Sequence, residues 1–253
     1  MGYTKIYQFG NITEVYEYEK DINTTRKTRH TSKIQRNRKK AIKARSGNIR
    51  SKYSISRARR SFFRLCHENN LKAQTIHFLT LTLADDTDYT TATRYISQFF
   101  NKLRKHETLK YSEISYIGVP ELTKKGRYHF HLLLYNLPTQ FCCFERETRY
   151  LQICYWQRGY LEIMFAPTVT SGIAGYMAKY LGKHLANPTN EARRAYNCSR
   201  NIKKVRSHGT NIYDLEKDVA IEFISVPNEV AQRKTEYTVP FLGACTYTRY
   251  QVI

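Results

Sequence analysis

His129 and His131 stand two residues apart in the run Arg127-Tyr128-His129-Phe130-His131-Leu132-Leu133-Leu134-Tyr135. In a strand, residues two apart share a face, so the two imidazoles point one way while Tyr128, Phe130, Leu132 and Leu134 point the other way as core. Two neutral ring nitrogens side by side suit a divalent ion. Glu121 ends the preceding predicted strand, and the turn Lys124-Lys125-Gly126 folds that strand back beside the histidines. Two imidazoles and one carboxylate make a mixed nitrogen and oxygen site with open positions. Mg²⁺ or Mn²⁺ with retained waters fits such a site when a phosphate supplies the remaining ligands. The plain alternative is a pair of histidines that only hydrogen-bond, and H-x-H alone does not separate the two readings. His67, His77, His106, His184 and His208 have no comparable setting.

A second group sits on the predicted helix Thr170–His184. Ala174, Met177, Ala178, Leu181 and Leu185 recur along one side of it. Tyr176, Lys179, Tyr180 and Lys183 recur along the other, at i, i+3, i+4 and i+7. Phenolate attacks phosphorus well but is scarce at neutral pH, and a nearby ammonium lowers the phenol pKa and offsets transition-state charge. Attack would leave a covalent phosphotyrosine and a free 3′-hydroxyl. Two tyrosines one turn apart would let one hold the strand while the other cuts again. The chain has 21 tyrosines, so packing alone is the ordinary explanation for any one of them.

The elements that must position these groups follow from periodicity. Ile76–Leu83 (IHFLTLTL) alternates as a half-buried strand. Asp85 to Asp88 can cap a helix over Thr91–Lys105. Ile114–Glu121 and Arg127–Tyr135 form a strand–turn–strand. Phe141–Trp156 has helical character, and Gly159–Phe165 is a further strand. Val219–Ser225 reads as a strand, and Thr238–Ile253 is ambiguous. Hairpins mixed with crossovers predict an α+β fold, a central, mainly antiparallel sheet flanked by helices, with a basic helical N-terminal arm. The expected organisation is an arm over 1–70, a catalytic domain over 71–205 and a C-terminal extension over 206–253 that packs on it.

The chain has 253 residues, 42 Lys+Arg against 21 Asp+Glu, and a formal charge of +21. That excess points to a polyanionic partner, with nucleic acid the first candidate. From Thr25 to Arg64 basic residues dominate, as one or two helices or as a solvated tail; either form neutralises phosphates without reading sequence. The six cysteines form no C-x-x-C pair, which argues against a zinc ribbon. Without a signal peptide, reduced thiols in a cytoplasm are expected, and no apolar run is long enough for a membrane span.

Three ordered segments carry a resemblance. Phe78–Leu83 (FLTLTL), Gly126–Leu134 (GRYHFHLLL) and Gly175–Lys183 (GYMAKYLGK) resemble, in order, the three motifs of the HUH endonuclease superfamily. Within it, the resemblance is specifically to replication initiators of small single-stranded DNA phages and rolling-circle plasmids. Trp156-Gln157-Arg158-Gly159 resembles the family's W-x-x-G, and Arg193–Arg200 resembles its R-R-x-Y-x-x-S-R. The resemblance spans about residues 75–200. It implies His129, His131 and Glu121 as ligands of Mg²⁺ or Mn²⁺, Tyr176 as nucleophile with Tyr180 as the second, and Lys179 and Lys183 as assisting cations. It implies nicking and rejoining of a single-stranded DNA origin, bare or in a hairpin. No G-x-x-x-x-G-K-[ST] follows, so a host helicase and single-strand-binding protein are the expected partners. Two other readings stand beside it: a relaxase or transposase of the same superfamily, and a nucleic-acid-binding protein without catalysis.

Overall fold

The computed structural model describes residues 3–20, 52–106, 109, 113–123, 125–139, 149, 151–166, 170–187, 195–211, 230–239 and 243–251. The chain divides into two compact units, one over residues 46–203 and one formed by residues 1–45 with 204–253. Both sheets are antiparallel, so the α+β expectation holds, with two sheets in place of one.

The larger unit is built on a five-stranded sheet ordered β6-β3-β5-β4-β7. Its strands are β3 (Ile76–Leu83), β4 (Ser115–Leu122), β5 (Tyr128–Tyr135), β6 (Gly159–Ala166) and the short β7 (Asn197–Cys198). One face carries Leu79, Leu81, Phe130, Leu132, Leu161 and Ile163 into a core with helix α2 (Tyr89–Arg104). Asp88 caps that helix, accepting from the backbone N–H groups of Thr90 at 2.8 Å and Thr91 at 3.0 Å. The opposite face carries Phe78, Ile117, Val119, Leu133 and Tyr135 against α1 (Lys52–Asn70) and α3 (Thr170–Ala186). β3 is therefore buried on both sides rather than half-buried, because helices cover both faces of the sheet.

α1 belongs to this unit and not to a separate arm. Its basic residues share the helix with Phe62, Leu65 and Cys66, all buried under the sheet. Asn70 at its end accepts from the Tyr135 hydroxyl at 3.0 Å, and Asn69 exchanges hydrogen bonds with the backbone of Lys203. Arg59 Nε donates to the Ala178 carbonyl of α3 at 3.2 Å. Gly182 allows that approach, since a Cβ there would lie 2.9 Å from Arg59 Cδ. Of the basic segment expected over Thr25–Arg64, the part before Lys52 lies outside the described residues.

The Arg-rich stretch after α3 is described from Ala195 on. Ser199 Oγ accepts from Tyr116 N at 2.8 Å and from Arg104 Nη2 at 3.1 Å, and its N–H donates to the Tyr116 carbonyl at 2.9 Å. This segment seals the β4 edge and ties it to α2. Leu151–Trp156 is a single π-helical turn. Most of Phe141–Tyr150, where the sequence suggested helix, and all of Val219–Ser225 lie outside the described residues.

The second unit is a five-stranded sheet ordered β8-β1-β2-β10-β9. β1 (Tyr3–Phe9) and β2 (Ile12–Tyr18) form a hairpin turning at Gly10, whose φ of 56° suits glycine. β8 (Arg206–Asn211), β9 (Val230–Val239) and β10 (Gly243–Gln251) complete it. The N-terminal segment is thus strand and not arm, and the tyrosine-rich end is a hairpin that pairs with it through β2. Among the described residues, Cys66, Cys154, Cys198 and Cys245 are free thiols, and no helix is long and apolar enough to cross a membrane.

Candidate metal and tyrosine site

The β4–β5 turn decides the first half of the site. Thr123 N–H donates to the Arg127 carbonyl at 2.9 Å and Gly126 N–H to the Thr123 carbonyl at 3.0 Å. Gly126 takes φ 81°, open to glycine at little cost. This register sets Glu121 directly opposite His129 and Val119 opposite His131. Ligand atoms of Glu121, His129 and His131 all lie within 4.8 Å of one another. His131 Nε2 is 3.1 Å from Glu121 Oε2.

The electrostatics favour ligation over ion pairing. Burial, followed by the neighbouring His129 charge and opposed by Glu121, pulls the His131 pKa down to about 4. Burial also lowers that of His129, against the pull of Glu121 and Glu162. Both rings are therefore neutral donors at physiological pH, as metal binding requires. A hard or borderline divalent cation matches two such nitrogens and one carboxylate oxygen.

A residue not singled out from the sequence orients one candidate ligand. Thr82 Oγ1 and His129 Nδ1 share a hydrogen bond of 3.0 Å. With the proton on Nδ1 donated to Thr82, His129 Nε2 keeps its lone pair for a metal. The W-x-x-G segment supports Thr82 from behind. Trp156 Nε1 donates to the Thr82 carbonyl at 3.3 Å. At Gly159, φ is 139° and a Cβ would fall 2.2 Å from the same oxygen. The signal was present in the sequence as the next-to-last residue of FLTLTL, a threonine on the histidines' face, but nothing local marked it as a partner.

The second half of the site is α3. Ala174, Met177, Ala178, Leu181 and Leu185 are buried on the sheet, while Tyr176 and Lys179 are exposed. Tyr180 packs on His131, with ring centroids 3.9 Å apart; Phe78 stacks on His131 at 5.6 Å and meets the Tyr176 ring, tilted, also at 5.6 Å. The Tyr176 and Tyr180 hydroxyls are 2.6 Å apart. Burial first, then the hydrogen bond and charge of Tyr176, push the Tyr180 pKa up to about 12. Lys183 Nζ sits 5.2 Å from the Tyr180 ring centre and, with Glu121 and His184, lines a cleft beside the ligand group. The structure thus gathers six of the seven predicted site residues and leaves Lys179 on the outer face of α3.

Residues 76–185 match the family model described as Replication-associated protein ORF2/G2P. The stretch that holds this site is similar to that replication-associated family. No curated protein and no solved structure matches the chain. The match runs from the first residue of β3 to the last turn of α3. It takes in Thr82, the candidate ligand group, the W-x-x-G turn and both tyrosines.

Proposed function

We propose that this chain is a rolling-circle replication initiator. In this reading it nicks single-stranded DNA at an origin through a covalent 5′-phosphotyrosine and rejoins it. The reading rests on one observation: a His–His–Glu group and two hydrogen-bonded tyrosines meet through the His131–Tyr180 contact. The family match supports it.

His129 Nε2, His131 and Glu121 would hold the ion, with Mg²⁺ or Mn²⁺ best suited to the donor set. When bound, the ion supplies an electrophilic clamp on the scissile phosphate. The chain's own residues do the rest. Tyr176, with its hydroxyl in solvent reach, attacks: its oxygen bonds to phosphorus as the P–O3′ bond breaks. The phenol proton leaves, and the departing 3′ oxygen takes one up, so protons balance. Tyr180 holds the Tyr176 hydroxyl in place and serves as the second nucleophile for the joining step. Lys183, and Lys179 once DNA covers α3, offset phosphate charge. A host helicase and single-strand-binding protein would supply unwinding.

A labelled single-stranded oligonucleotide library, incubated with the protein and Mn²⁺, tests this. A covalent adduct is expected, and it should disappear in Tyr176→Phe/Tyr180→Phe. An adduct that survives the double substitution defeats the tyrosine mechanism. Two tyrosines on one helix fit an initiator better than a single-tyrosine transposase.

A further inference from the structure

β6 is the edge strand of the larger sheet. Its buried residues, Leu161 and Ile163, belong to the α2 side. Tyr160, Glu162 and Met164 alternate with them and lie on the other face, the one that carries the histidines. Tyr160 pairs across to Thr82, which pairs to His129; Glu162 pairs to Thr80, which pairs to His131; Met164 pairs to Phe78. Two strand spacings of ~4.8 Å put this row about 10 Å from the ligand group.

The row is open. Tyr160 is 57% exposed and Met164 50%, and Tyr176 on α3 is 46% exposed. Edge strands normally carry charge or cover to prevent association, and exposed apolar groups clustered on one are a binding surface or a liability. Here they adjoin the proposed active site: Met164 pairs with Phe78, a buried residue whose ring meets both His131 and Tyr176. The occupant must therefore reach the site itself. The chain's +21 charge favours a polyanion, and the cations nearest the tyrosines, Lys179 and Lys183, sit on α3 rather than on β6. Backbone phosphates would follow α3, leaving bases to face β6. A tyrosine ring offers a stacking platform, and a methionine an adaptable apolar one. An ionised glutamate is acceptor-only, so it repels phosphate and suits an exocyclic amine.

We propose that Tyr160, Glu162 and Met164 form a base-binding ledge for the single strand entering the site. Tyr160 stacks on an unpaired base, and Glu162 selects a neighbouring base bearing an amine. The inference rests on the nicking reading for its substrate and adds where, and by which residues, bases beside the scissile phosphate are read. Paired bases hide their faces, so the ledge excludes intact duplex.

The test uses the full chain in EDTA, so that cleavage plays no part. Single-stranded 12-mers substituted with 5-iododeoxyuridine are photocrosslinked and mapped by mass spectrometry, and binding of dT12, dC12, dA12 and a 12-base-pair duplex is read by anisotropy. Crosslinks are expected at Tyr160 or Met164. Tyr160→Ala should weaken single-strand binding roughly 5- to 100-fold and leave duplex binding unchanged. Glu162→Gln should erase any preference for dC12 or dA12 over dT12, read in the same EDTA buffer so that metal binding plays no part. Crosslinks only at other residues, with Tyr160→Ala binding normally, overturn the ledge, as does a concentration-dependent dimer that Tyr160→Ala abolishes. Normal adduct formation by that unaffected variant would sink the ledge alone. Crosslinks at Tyr160 without any adduct in Mn²⁺ would keep the ledge and sink the nicking reading.

Discussion

The Tyr180 ring lies against the His131 imidazole, centroids 3.9 Å apart and planes tilted by 36°. A strand residue and a helix residue 49 positions apart in sequence thus share one wall of the site. Any change at one is felt by the other through that contact and through Tyr176.

Thr82→Val keeps the β-branched shape and removes the hydroxyl that holds His129 Nδ1. Mn²⁺ affinity should fall about 10- to 100-fold by calorimetry, with the circular dichroism spectrum unaltered. Thr82→Ser should retain most of the affinity. Equal affinity in all three proteins would remove Thr82 from the account.

The two tyrosines should separate in kinetics and not in stability. Tyr176 is exposed and Tyr180 half-buried, and phenylalanine keeps the ring at both, so each Tyr→Phe change should shift unfolding by no more than about 1 kcal/mol. Tyr176→Phe should lose the first cleavage. Tyr180→Phe should still cut once and fail in the second transfer. A gel of end-labelled oligonucleotide reads both events, and identical behaviour of the two variants would reject the division of labour.

Gly159→Ala places a methyl into the Thr82 carbonyl from a left-handed backbone position. The expected cost is about 2–4 kcal/mol in urea unfolding. Because the displaced group is the backbone that carries Thr82, Mn²⁺ affinity should drop in parallel. Loss of stability with undiminished metal binding would disconnect the W-x-x-G turn from the site.

Acid should destabilise the domain through His77, whose burial pulls its pKa down to about 4. The unfolded chain takes up the proton near pH 6.5 and the folded one only near 4. Stability is therefore full above pH 6.5, falls as pH drops from 6.5 to about 4, and from this group changes no further below that. Unfolding midpoints of wild type and His77→Leu, measured against pH, should converge or cross over this window and run parallel above it. A constant difference down to pH 4 would contradict the assignment.

Much of the site was legible in the chain itself, because short-range periodicity is covalent information. A period of two put His129 and His131 on one face, and a hairpin turn with glycine at a left-handed position returned Glu121 to them. A helical period separated the buried alanine–methionine–leucine side of α3 from its tyrosines. What the tertiary structure alone decided is what lies beside what across long separations. Sequence periodicity does not reveal that Tyr180 rests on His131, that Thr82 is the partner of His129, or that α1 is core and not arm. Neither does it show that β1 and β2 find their sheet partners more than 180 residues later in β8 and β10. Those pairings depend on which apolar faces can cover one another once the whole chain has folded, and no local pattern carries that choice.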